Sequence, residues 1–128
     1  MGTSYILDTS AYSKYVTAHL SNENMDLVTR VMLSQVTISV ISKIELLSWR
    51  TNESLEEDTR FFVRVAQVLA LDEQIIDKTI EIRRKTKIKL PDAIIAATAL
   101  VHNLTLSSTN DSDFLKVPKL KYKSLNTA

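Results

Sequence analysis

Cysteine is absent from the chain, and glycine occurs once, at Gly2. The first absence excludes disulfides, thiolate metal sites and a cysteine nucleophile, and it suits a reducing cytoplasm. The second excludes a glycine-rich phosphate loop, and with it P-loop enzymes and dinucleotide-binding Rossmann proteins. Net charge is nearly absent as well. The 16 Lys and Arg stand against 15 Asp and Glu, so any surface for nucleic acid has to be local. No stretch approaches the roughly 18 apolar residues of a membrane span. The opening "MGTSYILDTSAYSKY" lacks the basic region and long apolar run of a signal peptide. These absences lead us to expect a cytoplasmic protein with no membrane association.

What remains is ordinary globular material: 128 residues, 45% hydrophobic and 24% charged, enough for one domain over residues 1–128 with one core. "SYILDTS" reads as a short buried strand, Tyr5 to Leu7, and "AYSKYVTAHL" as a helix. "VTISV", Val36 to Val40, is a second buried strand. In "SKIELLSWR" the spacing makes Ser42 a helix cap with Glu45 as its capping-box partner, and turns Ile44, Leu47 and Trp49 toward the core. A helix is expected from Leu55 to about Val65, and a strand from Val68 to Leu71. Ile75, Ile76, Thr79, Ile80 and Arg83 recur at helical spacing. "LPDAIIAATALVHN" is a central helix, apolar nearly all round, with Pro91 at its first position and Asn103 or a neighbour at its end. "LTLSS" is a strand, "TNDSDF" a loop, and "KLKYKSL" a last edge strand guarded by lysines. Strands alternating with helices imply a parallel α/β sheet.

Against this background four carboxylate positions form a pattern. Asp8 follows the first strand, Glu45 opens the helix after the second, Asp92 opens the central helix, and Asp111, with Asp113 nearby, follows "LTLSST". In a parallel α/β sheet such positions gather at the carboxyl ends of the strands. Carboxylates brought together repel unless a cation neutralises them, and hard divalent ions such as Mg²⁺ or Mn²⁺ do so through oxygen ligands. Ions held in this way activate water and grip a phosphodiester. Each acid alone also has a plain structural reading. Asp8 can be a turn or cap residue, Glu45 a capping partner, Asp92 a complement to the helix dipole, and Asp111 and Asp113 loop acids. The signal lies in the four occurring together.

"YILDTSAY", "ISVISKIELL", "KLPDAIIAATAL" and "LTLSSTNDSDF" together resemble the four acidic motifs of PIN domains, in order and over nearly the whole chain. The likeness is greatest to the VapC-type ribonuclease toxins of type II toxin–antitoxin pairs, and "LPDAIIAATA" is its most specific element. The resemblance implies a PIN-like three-layer α/β/α fold with a central parallel sheet. It implies Asp8, Glu45 and Asp92 as metal-site acids, with Asp111 taken as the fourth and Asp113 as the second choice. Thr9, Ser10, Thr109 and Asn110 would support them from behind, although Ser10 stands where many relatives carry Asn.

The activity implied is metal-dependent endoribonucleolytic cutting, of transfer RNA at family level, leaving a 5′-phosphate and a 3′-hydroxyl. A VapB-like antitoxin would cover the pocket, and "FFVRV" could join the groove receiving it. A homodimer is also implied. The basic run "RRKTKIK" supplies Arg83, Arg84, Lys87 and Lys89 as candidate RNA-phosphate contacts, with Arg83 also placed to pair with the acids. His19 and His102 fall outside the acidic motifs, and Tyr12 and Tyr15 read as packing residues. The main rival is a non-catalytic PIN-like module that binds RNA or protein. A receiver-type phosphoacceptor domain fits poorly, because "VTISV" leads into Ser and Lys rather than Asp.

Overall fold

Ile6 and Leu7, adjacent in the first strand, are both fully buried, yet they enter two different hydrophobic clusters. Successive side chains of a strand point to opposite faces, so a strand buried on both faces lies between two layers. A computed structural model describes residues 4–126, and the single glycine, Gly2, lies outside them. In chain order the elements are β1 (Tyr5–Leu7), α1 (Thr9–Val16), α2 (Asn22–Leu33), β2 (Thr37–Ser39), α3 (Val40–Ser48), α4 (Glu53–Val65), β3 (Gln67–Leu69), α5 (Glu73–Lys85), α6 (Leu90–Val101), β4 (Thr105–Ser108), α7 (Asp111–Phe114) and β5 (Tyr122–Ser124).

The strands pair in parallel, β1 with β4, β4 with β5, and β2 with β3. β2 lies alongside β1 without a hydrogen-bonded ladder, so the strands run in the spatial order β3-β2-β1-β4-β5. From β1 the chain builds outward first to one side and later to the other. That makes the carboxyl ends of β1 and β4 the switch point of the sheet. On one face α5, α6 and Phe114 of α7 pack with Ile6 and Leu106. On the other, α1, α2 and α4 pack with Leu7 and Ile38. α3 contributes Ile41 to the first cluster and Leu46 to the second. The three-layer α/β/α expectation therefore holds.

Local chemistry explains most boundaries. α6 opens with Pro in its first turn, where a missing N–H costs nothing, and Ala93 through Ala99 are all buried. It closes at Asn103, whose φ of 56° is left-handed. The amides of Asn103 and Leu104 reach back to the carbonyls of Leu100 and Ala99, a Schellman closure. α1 closes in the same way through Ala18 at φ 57°, with Ala18 and His19 bonded to Tyr15 and Lys14. This is why α1 stops at Val16 and does not run to Leu20. With no glycine among the described residues, alanine and asparagine take the turns where glycine is usual.

Several expectations are corrected. The cap of α3 is Ser39, which accepts from the Ile41 amide, so Ser42 lies inside the helix and Glu45 is not its capping-box partner. Ile44 and Leu47 face outward, with Ile44 57% exposed, while Leu46 fills the core and Trp49 is half-buried against it. On α5 the buried stripe is Ile75, Thr79 and Ile82, and Ile76, Ile80 and Arg83 are exposed. β3 begins one residue earlier than expected and ends at Leu69. "TNDSDF" is not a loop throughout, because Asp111–Phe114 form a helical turn. α2 is an amphipathic helix that motif reading passed over. It is capped by Ser21 and anchored by the buried Asn24 amide, which donates to the Leu125 carbonyl at 3.1 Å. Among the described residues no helix is long and apolar enough to cross a membrane.

Candidate metal centre

Asp8 is carried by the end of β1 and serves as the cap of α1, accepting from the Ala11 amide at 2.9 Å. Ser108, at the end of β4, donates to Asp8 Oδ2 at 2.7 Å, and Ser10 donates to Oδ1 at 2.9 Å. Burial raises the Asp8 carboxyl from 3.8 to about 6, against the lowering effect of Ser108, Ala11 and Ser10, and the charge of Asp92 adds to the rise. Three hydrogen bonds thus fail to offset the loss of water around a carboxylate facing another acid.

Asp92 reaches the same region from the first turn of α6. Its carboxyl is also pushed up, first by burial and then by Asp113 and Glu45, with Lys89 opposing. Glu45 arrives from α3 on the same helix face as Ser42, three residues apart. Thr9 lies within reach of both, donating to Glu45 Oε1, with its hydroxyl oxygen 3.4 Å from Ser42 Oγ. The Asn110 amide donates to Asp92 Oδ2 at 3.3 Å and to Asp113 Oδ2 at 3.1 Å. A cavity of about 300 Å³ is lined by Asp8, Thr9, Ser10, Ser13, Glu45, Asp92, Ile95 and Asn110. A larger one, about 490 Å³, lies at the amino ends of the strands and has no acidic lining.

The structure thus gathers Asp8, Glu45 and Asp92, with Asp113 joined through Asn110. It does not bring in Asp111, which the motif reading had placed ahead of Asp113. Asp111 turns to β5 and accepts from the Tyr122 hydroxyl, Ser124 Oγ at 2.8 Å and Asn126 Nδ2 at 2.9 Å. Burial acts to raise its carboxyl, but the bonds from Asn126, Tyr122 and Ser124 outweigh burial and hold it below the usual carboxylate range. Ser10 is a hub, since the Thr109 amide and hydroxyl both donate to it, at 3.2 and 3.0 Å. Ser108 and Ser42 were not foreseen as partners, although Ser108 stands within the motif "LTLSST" and its buried hydroxyl could have drawn attention.

Lys89 caps α6 beside Asp92, while Arg83, Arg84, Lys85 and Lys87 are exposed. Among the described residues the ion pairs are those of Lys78 and Lys85 with Glu81, so Arg83 does not pair with the acids. His102 is a helix-end residue, and His19 is exposed and bonds to Thr17. Tyr12 is a packing residue, stacked on Phe62 at 4.2 Å with its hydroxyl bonded to Thr59 at 3.1 Å.

The donor set suits a hard divalent cation: carboxylate and hydroxyl oxygens, surplus negative charge, and no thiolate or imidazole in the pocket. Among the described residues no three acids or histidines converge closely enough to form a complete cage. That still fits Mg²⁺, which is commonly held by one or two carboxylates and keeps several of its waters.

The PIN domain family model matches residues 5–120. Among solved structures, the chain is 25% identical to a toxin–antitoxin complex chain from Klebsiella pneumoniae, with a TM-score of 0.79 over 98% of this chain and 100% of that one. It matches VapBC2 from Rickettsia felis, bound to a promoter DNA fragment, at 18% identity and TM-score 0.77, covering 94% of this chain and 97% of that one. VapBC-1 from nontypeable Haemophilus influenzae matches at 22% and 0.76, with the same coverage. No curated protein matches in sequence. With the acids gathered at the switch point of a parallel three-layer fold and the family match spanning most of its length, this chain belongs to the PIN-domain family.

Proposed function

We propose that the chain is a VapC-type toxin, a Mg²⁺- or Mn²⁺-dependent endoribonuclease. The observation that carries this reading is the pair Asp8 and Asp92, two carboxyls pushed up by burial and by neighbouring acids, with no Lys or Arg in ion-pair contact among the described residues. A structure that brings a buried and a half-buried acid together without an ion-paired counter-charge favours the binding of a cation. Asp8 and Asp92 would hold it directly, with Glu45 and Asp113 reaching it through its retained waters. Such an ion, when bound, supplies Lewis acidity toward a phosphodiester and lowers the pKa of water. The chain's own residues would do the rest. Ser10 and Ser108 fix the Asp8 carboxylate, and Asn110 fixes Asp92 against Asp113. Thr9 engages Oε1 of Glu45 and leaves Oε2 as the oxygen able to take a proton from the attacking water.

Lys89, beside Asp92, with Arg83, Arg84 and Lys87, would meet the phosphates of RNA, with transfer RNA as the substrate class. The partner would be a VapB-like antitoxin, since the similar structures include toxin–antitoxin complexes. An apolar groove of about 290 Å³ lined by Tyr12, Val16, Met32, Val36, Phe61, Phe62 and Val65 would take part of it. The active form would be a cytoplasmic homodimer.

One observation favours the rival reading of a non-cutting RNA- or protein-binding module: the acids do not form a complete cage among the described residues. Purified chain, freed of any partner, should cut bulk RNA with Mn²⁺ or Mg²⁺ and stop with EDTA. Asp92→Asn should lower the rate at least about a hundredfold, the loss of a stabilising group in the transition state. If the intact chain binds no divalent ion and cuts nothing, the nuclease reading fails and the binding module replaces it.

A further inference from the structure

Tyr122, Ser124 and Asn126 all direct hydrogen bonds to one carboxylate, Asp111. The Tyr122 hydroxyl also lies 3.2 Å from the Ser108 carbonyl, and Asn126 Nδ2 donates to the Thr109 carbonyl at 2.7 Å. The Leu125 amide donates to the same Ser108 carbonyl at 2.8 Å. Asn126 Nδ2 carries two hydrogens and uses them on the Thr109 carbonyl and on Asp111 Oδ2. β5, Leu125 and Asn126 are thus clipped to the loop between β4 and α7, and Asp111 is the common acceptor of the clip.

The loop in turn holds the acids. Ser108 bonds Asp8, Thr109 bonds Ser10, and Asn110 spans Asp92 and Asp113. Asp111 touches none of the gathered acids. Residues two apart on a helical turn point to nearly opposite sides, so α7 presents Asp113 to the site and Asp111 to β5.

We propose that Asp111 is a positioning residue, whose carboxylate ties β5 and Asn126 to the β4–α7 loop and so sets where Asn110 holds Asp92 and Asp113. The role in metal binding rests on the nuclease reading, whereas the clip itself does not. Replacing Asp111 by Asn puts an amide donor where an acceptor is needed, facing either Tyr122 or the Ser124 and Asn126 pair. Tyr122→Phe removes only the hydroxyl and keeps the ring, which packs on Phe114 at 5.9 Å.

The test uses the full chain free of any partner, in wild-type, Asp111→Asn, Tyr122→Phe, Asn126→Ala, Asp111→Asn/Tyr122→Phe and Asp92→Asn forms. Amide hydrogen exchange of residues 109–114 is followed without metal, and Mn²⁺ affinity is measured by calorimetry. Each clip variant should speed exchange in that segment and weaken Mn²⁺ about tenfold, as loss of a group supporting a ligand does. The double variant should lose less than the two singles combined. A loss of Mn²⁺ affinity in Asp111→Asn with none in Tyr122→Phe and Asn126→Ala would make Asp111 a direct ligand and overturn the proposal. Unchanged exchange in all three single variants would overturn it as well. If wild type itself binds no Mn²⁺, the nuclease reading falls, and the exchange data decide the clip alone. Should Asp111→Asn fail to fold, the Tyr122→Phe and Asn126→Ala pair carries the same test.

Discussion

Asp8 and Asp111 each accept three hydrogen bonds from the protein, yet their carboxyls move in opposite directions. The difference is depth and company. Asp8 is buried and faces Asp92, whereas Asp111 is only partly covered and has no acid opposing it. The count of hydrogen bonds therefore does not tell which acid is part of a site. What tells is whether those bonds leave a charge still in need of compensation. By that criterion Asp8 fits the proposed metal centre, whereas the bonds to Asp111 satisfy its charge within the protein.

The largest test of this contrast is the pH dependence of stability in the metal-free chain. A folded Asp8 near 6, against 3.8 for the free group, holds its proton through a range where the unfolded chain has lost it. Stability should therefore be greatest below about pH 4 on this account and fall as pH rises through about 6, by about 3 kcal/mol at roughly 1.4 kcal/mol per unit. Asp8→Asn, which keeps an acceptor for the Ala11 amide, should flatten that part of the urea-midpoint profile. Equal slopes for variant and wild type would break the comparison. Asp111→Asn should change the profile in the opposite sense, because its carboxylate is favoured in the folded state.

A smaller effect sharpens the same point. Ser108→Ala deletes the donor that most lowers Asp8, so stability at pH 7 should drop by about 2 kcal/mol, the range for a hydrogen bond to a charged group. The loss should shrink at pH 4, where Asp8 is protonated. Ser124→Ala, its counterpart at Asp111, should cost less in thermal unfolding. If the two serine variants are equally damaging, burial is not what separates the two acids. The smallest change lies remote from both. Ala18→Gly relieves a left-handed alanine and should stabilise the chain by about 1 kcal/mol, read as a rise in Tm with no change in the pH profile.

The parts of this structure legible in the sequence are those where one local signal dominates. β1, β2 and β4 are short apolar or β-branched runs, and α6 combines a first-turn proline with an unbroken apolar stretch. The gathering of Asp8, Glu45 and Asp92 was legible because Asp8 follows a strand, Asp92 opens a helix and Glu45 lies in the helix directly after a strand. Where two signals compete, local reading chose wrongly. Both Ser39 and Ser42 can cap a helix, and only the end of β2 decides for Ser39, which changes which leucine of α3 is buried. With "TNDSDF" read as a loop, the choice of Asp111 over Asp113 rested on the motif resemblance alone, whereas a helical turn points the two apart. α2 was missed because it carries no acidic motif, and its anchor, Asn24 on Leu125, joins residues 101 apart in the chain.

α6 has a last implication, for genetics. Its first turn carries Asp92, and the next seven residues are buried small or branched side chains, four of them alanines. Ala96 and Ala97 are fully buried, so a larger residue at either displaces the helix that aims the acid. A selection for loss of the proposed activity should therefore recover substitutions of these alanines alongside those of the acids. Inactive alleles would then trace the line of the helix through the molecule rather than the rim of the pocket.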